Sequence, residues 1–190
     1  MGCPEKVVHD DASVVLNPNS PNKQIALIRQ ANTNQQAGNN FLYYEWAYMY
    51  NLISSCNLIL EKAETVTLSG DAASKKAAIK AWAYWWKGFA YSRIGSIYVS
   101  GIITDALNES NSDFKEKGLI IAEAASNFDK CVTALNAIND MAAYNEVMDK
   151  LIISFNKTGN GGIFTPTQWK RHINTYKARN ILVNKKVVDV

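Results

Sequence analysis

Histidine, the side chain that acts most often in acid–base catalysis, occurs only twice in this 190-residue chain, and the two copies lie far apart in the sequence. The two histidines are His9, in a polar lead segment, and His172, which follows Lys170-Arg171 and is expected on a helix surface. A catalytic triad needs a histidine between a nucleophile and a carboxylate, and these histidines suggest no such set. A His-x-x-x-His pair and a GxxxxGKS/T phosphate loop are also absent from the sequence. We therefore predict no catalytic residue, no metal and no cofactor.

Glu45 is a carboxylate whose sequence surroundings could change its acidity. It stands in the apolar and aromatic stretch 41–60, where burial would raise the pKa of a carboxyl group. The simpler interpretation is a half-buried glutamate that bonds to a neighbouring amide or a lysine. An enzyme that uses Glu45 in an aromatic pocket is a rival hypothesis, which unchanged activity in a Glu45→Gln variant would remove.

The three cysteines, Cys3, Cys56 and Cys131, are far apart and form no CxxC motif. They therefore suggest neither a zinc site nor a redox pair. Cys56 and Cys131 fit small apolar positions on helices. Cys3 differs from them, because a thiol beside Gly2 at the N-terminus could serve as a lipid anchor.

Aromatic residues are the most distinctive feature of the chain. They crowd two segments, first at Tyr43, Tyr44, Trp46, Tyr48 and Tyr50, and then at Trp82, Tyr84, Trp85 and Trp86. Consecutive helical positions point about 100° apart, so neighbouring rings cannot all face one core. The remaining rings either fill further helix contacts or stack on a sugar or a peptide ligand. The candidate ligand-binding residues are Tyr43, Trp46, Trp82 and Trp86.

Composition excludes several other classes of function. The net charge is +3, and the basic residues are scattered rather than gathered into a run, so no nucleic-acid partner is expected. The apolar stretch 41–60 is interrupted by Asn51, Ser54, Ser55 and Asn57. These polar residues indicate a buried helix of a soluble protein rather than a membrane span.

Helical periodicity and turn signals divide the chain into two parts. Residues 1–39 are rich in Asn, Gln, Ser and Pro and are predicted to form an extended, loop-rich lead segment. Residues 40–190 are predicted to form one helical domain that belongs to a longer protein. No run alternates with a period of two, so no sheet is expected. The predicted helices cover residues 40–63, 71–98, 114–138 and 141–155, and a fifth begins with Thr165 as N-cap and Pro166 at its first position.

The spacing of apolar residues within the helices predicts their inward faces. The second helix is apolar nearly all round, with a narrow polar stripe at Lys76, Lys80 and Lys87. Its Ala81, Gly88 and Gly95 recur every seven residues and predict close approach of a neighbouring helix, because an interior glycine otherwise costs up to about 1 kcal/mol. The inward faces of the first and third helices are predicted at Tyr44, Tyr48, Leu52, Ser55 and Ile59, and at Leu119, Ala122, Ala125, Phe128, Val132 and Leu135.

Helices of about 15 to 28 residues joined by polar connectors indicate an all-α fold of antiparallel helical hairpins. Their lengths resemble stacked hairpins of the tetratricopeptide-like, α-α superhelix type more than a single bundle. A strict repeat of about 34 residues cannot be read from the sequence.

Over residues 41–184 the chain resembles the SusD/RagB family of outer-membrane nutrient-binding lipoproteins. Residues 45–60, in which Trp46 and Tyr48 precede Asn57 and an aliphatic stop, are similar to one helix of that family. Residues 87–98 are similar to its RAxAYxxLxxxY helix. Residues 123–135 and 169–182 resemble two later helices.

The resemblance implies a tetratricopeptide-like scaffold, tethered to the outer membrane at the cell surface through an acylated N-terminal cysteine. Such a protein caps a TonB-dependent transporter and hands it glycans or peptides. Members of the family are longer, so this chain resembles their N-terminal part, and their ligand residues cannot be carried over. Cys3 also lacks a preceding lipobox in this sequence. The alternative is a tetratricopeptide-type adaptor that is not exported and holds peptide segments in a groove.

Overall fold

The computed structural model of the protein describes residues 41–107, 111–154, 157 and 161–185. The predicted lead segment, residues 1–39, lies outside the described residues. The chain divides into two compact units, Met1–Asn51 and Leu52–Val190. The first helix, α1, crosses this boundary, and the elements after it belong to the second unit.

The described residues are mostly helical, which confirms the all-α prediction. Five helices and two short strands follow in the order α1 Phe41–Thr65, α2 Ala72–Ile97, β1 Ser100–Ile102, β2 Phe114–Glu116, α3 Lys117–Asn136, α4 Met141–Leu151 and α5 Pro166–Asn184.

The two strands correct the prediction that the chain has no sheet. β1 pairs antiparallel with β2, with Ser100 opposite Glu116 and Ile102 opposite Phe114. Three-residue strands are too short to show the alternation that reveals a strand in a sequence. Because β2 takes up the predicted start of the third helix, α3 begins at Lys117 rather than at Phe114.

The starts of α2 and α5 were predicted correctly, because each has a strong N-terminal cap. The Asp71 carboxylate accepts hydrogen bonds from the backbone amides of Ala73 and Ser74, at 3.1 and 3.2 Å. Thr165 and Gln168 form a reciprocal capping box ahead of α5, with Pro166 in its first turn. Such caps satisfy backbone donors that the helix itself leaves unpaired.

The glycines of α2 permit the close approach that their spacing predicts. A Cβ atom on Gly88 would lie 2.8 Å from the ring of Phe128 in α3, and one on Gly95 would lie 2.8 Å from the side chain of Ile121. Real Cβ atoms do not tolerate contacts this short. A side chain at either position would therefore displace the α3 residue that packs directly on the α2 backbone.

The core of the second unit lies where α4 and α5 cover α2 and α3. Asn180 and Asn184 of α5 donate hydrogen bonds to Ser92 and Ser96 of α2, at 2.8 and 3.3 Å. Because both bonds span the same sequence separation of 88 residues, α5 runs alongside α2 in the same direction. The buried core residues are Ala78, Ala81, Trp85, Phe128, Cys131, Leu135, Tyr144, Met148, Trp169 and Ile173.

Two predicted inward faces need correction. In α1, Tyr44 and Tyr48 are exposed, and the buried residues of the helix are Ile53, Cys56, Asn57 and Ala63. In α3, Phe128 and Leu135 are buried as predicted, but Leu119 and Ala122 are exposed. The buried stripe of α3 runs one position away, through Ile120, Ala124, Asn127, Phe128, Cys131 and Leu135. Both helices bury an asparagine, which hydrophobic periodicity alone places outside.

Candidate functional site

The first half of α1 presents three tyrosine rings to solvent. Tyr43 is 50% exposed, Tyr44 is 40% exposed and Tyr48 is 62% exposed. The rings of Tyr44 and Tyr48 stack with their centroids 6.2 Å apart, because residues four apart on a helix are neighbours on its surface. Tyr43 packs its ring edge-on against Tyr44 at 5.9 Å. We call these three residues the tyrosine face.

Trp46, which lies between Tyr44 and Tyr48 in the sequence of α1, is half-buried. Its ring packs on Tyr50 with a centroid distance of 4.6 Å. Of the two candidate ligand-binding residues on α1, Tyr43 is therefore broadly exposed and Trp46 is held against a neighbouring ring.

The other two candidate ligand-binding residues, Trp82 and Trp86, lie on α2 and are half-buried. Their rings meet edge to face at 5.5 Å, and Trp82 also packs on Trp169 at 6.2 Å. Both are partly exposed, whereas Trp85 between them is buried in the core. The structure thus brings Trp82 and Trp86 together as the outer edge of a core cluster.

His172 lies inside this aromatic cluster, which corrects its predicted surface position. Its ring is half-buried and packs on Trp85 at 5.6 Å and on Tyr176 at 5.4 Å. Nδ1 is buried without a hydrogen-bond partner in the structure, and burial lowers the pKa of His172 below its ordinary value. The spacing of His172 from Trp169 and Tyr176, three before and four after, already predicts a shared helix face.

A buried lysine ties the α1–α2 hairpin to the loop after β1. Lys87, which the sequence places on an exposed polar stripe, is only 1% exposed. Its Nζ donates to Oδ1 of Asn57 at 2.6 Å and pairs with the carboxylate of Asp105. Burial raises the pKa of Asp105, but the hydrogen bond and the charge of Lys87 outweigh it, so the net pKa is lowered.

The same network holds the loop backbone in place. Asn57 Nδ2 donates to the carbonyls of Thr104 and Ala106, at 3.2 and 3.3 Å. The Tyr91 hydroxyl donates to the Thr104 carbonyl and accepts from the Thr104 amide. The buried side chains of the network, Lys87, Asn57 and Tyr91, each have hydrogen-bond partners within the protein, which favours a structural role for them.

The cysteines of the helices are buried, as their sequence context predicts. Burial raises the pKa of Cys56 and that of Cys131 to about 12. A thiol with so high a pKa carries almost no thiolate at neutral pH, so burial disfavours a nucleophilic role for both residues.

A groove of about 880 Å³, which the sequence did not predict, runs between α2 and α3. We call it the α2–α3 groove. Its walls are mainly small side chains, and Lys76, Lys80 and Lys130 stand along it together with Asp129. The periodic pattern had placed Ala122 and Ala125 on the inward face of the third helix, and a pattern within one helix does not show that space remains between two packed helices, so the groove was not predicted. The groove residues are Ala73, Lys76, Ala77, Lys80, Tyr84, Ala122, Ala125, Ser126, Asp129, Lys130, Thr133, Ala134 and Ala137.

Two general features of the described residues bear on the kind of site. Among the His, Cys, Asp and Glu side chains that the structure describes, no three lie close enough together to hold a metal ion. Within the same part of the chain, no helix has both the length and the hydropathy needed to cross a lipid bilayer.

Comparison with known proteins identified no relative of this chain. Neither the family models, nor the curated proteins, nor the solved structures include a match to this chain.

Proposed function

We propose that the chain is the helical scaffold of a SusD-like protein that binds a glycan or a peptide and delivers it to a TonB-dependent outer-membrane transporter. The observation that carries the proposal is the tyrosine face, because it presents adjacent aromatic rings to solvent along the first half of α1. The resemblance of residues 41–184 to the SusD/RagB family supplies the identity of the transporter partner and the class of ligand.

Exposed aromatic rings suit this role for a physical reason. The flat, weakly polar face of a tyrosine packs against the C–H face of a sugar or against an apolar peptide side chain, and its hydroxyl hydrogen-bonds at the edge. Tyr44 and Tyr48 already stack on each other, so binding would cost little further side-chain entropy. Binding rather than catalysis is proposed, because the site needs only these rings and no titrating group.

Titration of the 190-residue chain with glycans and with peptides, followed by intrinsic fluorescence, tests this proposal. We expect at least one ligand class to bind, and a Tyr43→Ala/Tyr48→Ala variant to bind it at least about fivefold more weakly, from the loss of about 0.5–1.5 kcal/mol for each of the two ring contacts. Phe114→Ala is the matched control, because Phe114 is a comparably exposed ring, 57%, on β2. Absence of binding for every class, or equal weakening by the control, contradicts the proposal.

The proposal also concerns location. It expects the full-length protein at the outer membrane and on the cell surface, attached through an N-terminal lipid anchor. An export signal with a lipobox, encoded upstream of Met1 in the genomic reading frame, is the expected finding. A stop codon immediately upstream of Met1 would contradict this location.

A tetratricopeptide-type adaptor without export is the second candidate function. The specific observation in its favour is the α2–α3 groove, because such adaptors hold peptide segments between helices. An export signal upstream of Met1 would discard it, so the same sequencing result separates the two candidates.

A further inference from the structure

We propose that the α2–α3 groove binds an amphipathic α-helix of a partner protein, with small or apolar residues on the face that enters the groove and carboxylates along its edges. This inference rests on the groove, the same feature that favours the adaptor function, and it stands whether or not the tyrosine face binds a nutrient.

The length of the groove matches a helical segment. Its residues run from Ala73 to Tyr84 along α2 and from Ala122 to Ala137 along α3. At 1.5 Å per residue, these stretches are about 16 and 22 Å long, the length of an 11- to 15-residue helix. The alanine walls project only methyl groups, so the axis of a third helix can come within about 8–10 Å of the other two.

The chemistry of the walls favours a helix over an extended peptide. An extended segment leaves its backbone N–H and C=O groups in need of partners, whereas a helix satisfies them internally. The backbones of α2 and α3 are bonded within their own helices, and the Thr133 hydroxyl in the wall already donates to the Asp129 carbonyl at 3.0 Å. A wall of methyl groups therefore packs against the apolar side chains of a partner and offers no hydrogen bonds to its backbone.

The charged residues along the groove determine which side chains would suit the edges of the partner helix. Of the charged groove residues, three are lysines and one, Asp129, is a carboxylate that already pairs with Lys177 of α5. Lys80 pairs with Glu64 at 2.6 Å, and Lys76 donates to the Glu64 carbonyl at 3.0 Å.

Lys130 is the groove lysine that lies over an aromatic ring, and its charge also acts on the nearby carboxylate of Asp105. Its Nζ lies 5.9 Å from the centre of the Tyr84 ring, and its side chain is exposed. Because lysines outnumber carboxylates on the groove walls, carboxylates are the side chains that a partner helix would gain most by placing along its edges.

The binding of two synthetic 15-residue helices to the 190-residue chain tests the inference. Both peptides carry the same alanine and leucine face, and they differ only in having glutamates or lysines at the flanking positions. Fluorescence anisotropy of the labelled peptides gives the affinities, and backbone amide shifts locate the site. We expect the acidic peptide to bind, more weakly at higher salt, and to shift the amides of Ala77, Ala125 and Ala134.

Two variants with matched controls make the test specific. Lys130→Glu is expected to weaken binding of the acidic peptide about fivefold or more, whereas Lys117→Glu, an equal charge change on the same helix about 20 Å away, leaves it within twofold. Ala122→Phe fills the groove and is expected to weaken binding at least tenfold. Ala142→Phe, on an exposed position of α4, is expected to have no effect.

Three results would overturn the inference. The first is that the basic peptide binds as tightly as the acidic one. The second is that neither peptide shifts the groove amides at a peptide concentration of about 1 mM, since we expect the dissociation constant to be no higher than this. The third is that the chain self-associates and Ala122→Phe abolishes the association, because the groove would then accept a second copy. The Tyr43→Ala/Tyr48→Ala variant tests only the binding of a glycan or peptide nutrient at the tyrosine face, so the two proposals can fail independently.

Discussion

Gly88→Ala is expected to destabilise the protein, because α3 packs directly on the backbone of α2 at this residue. The added Cβ would lie 2.8 Å from Cδ1 and Cε1 of Phe128. Phe128 is fully buried in the core, so its ring cannot move aside without disturbing its neighbours. Either the ring shifts or the two helices separate by a few tenths of an ångström.

The magnitude follows from two opposing effects. Overpacking of a core by a methyl group costs about 1–3 kcal/mol, while replacing an interior helical glycine by alanine returns up to about 1 kcal/mol of helix propensity. We therefore expect the free energy of unfolding to fall by about 1–2 kcal/mol. For a chain of this size, the melting temperature should fall by about 2–8 °C.

Urea denaturation followed by circular dichroism at 222 nm measures the change. Gly118→Ala in α3 is the control, because the nearest atom to its added Cβ is Glu116 Oε1, at 4.0 Å. The control is expected to be neutral or slightly stabilising. Combining Gly88→Ala with Phe128→Leu should cost less than the sum of the single variants. If Gly88→Ala is as stable as Gly118→Ala, the packing described for α2 and α3 is refuted.

Three further predictions concern the buried polar groups. Lys87→Met should lower the free energy of unfolding by about 1–3 kcal/mol in urea titrations, since the Oδ1 of Asn57 loses its donor, and an unchanged value would contradict this. Because the pKa of Asp105 is lowered, its ion pair stabilises the protein above pH ~4 and is lost as the pH falls through the lowered pKa. Lys87→Met should therefore flatten the acid limb of the stability curve. Because burial lowers the pKa of His172, the free energy of unfolding should fall as the pH drops below about 6.5. The fall should be smaller in a His172→Phe variant. A pKa of His172 above 6.5, measured by proton NMR, would refute this. Ser74→Ala removes the acceptor of two backbone amides in the α3–α4 loop and should cost about 1–3 kcal/mol, with faster hydrogen exchange at both amides.

The sequence predicted those parts of the fold that depend on local signals. The caps at Asp71 and Thr165 act through side chains within three residues of the helix start, so they can be read from adjacent residues. The spacing of Gly88 and Gly95 predicted a close helix neighbour, because only such a contact offsets the cost of interior glycine. The identity of that neighbour, Phe128 and Ile121 of α3, came only from the structure.

Features that depend on distant partners could not be predicted. Lys87 is buried because Asn57 and Asp105, 30 residues before it and 18 after it, meet its charge. His172 is half-buried because α5 lies along the tryptophans of α2. Hydrophobic periodicity treats a charged or polar residue as exposed, so it failed wherever a tertiary partner satisfies the polar group. The α2–α3 groove escaped notice because it is a space between helices rather than a pattern within one.

Amide chemical-shift mapping of the bound nutrient on the 190-residue chain tests the central claim most directly. A glycan or peptide that binds at the tyrosine face should shift the amides around Tyr43 and Tyr48 and leave those of the α2–α3 groove unchanged. Shifts confined to the groove, or none at saturating ligand, would contradict the assignment of a binding role to the first half of α1.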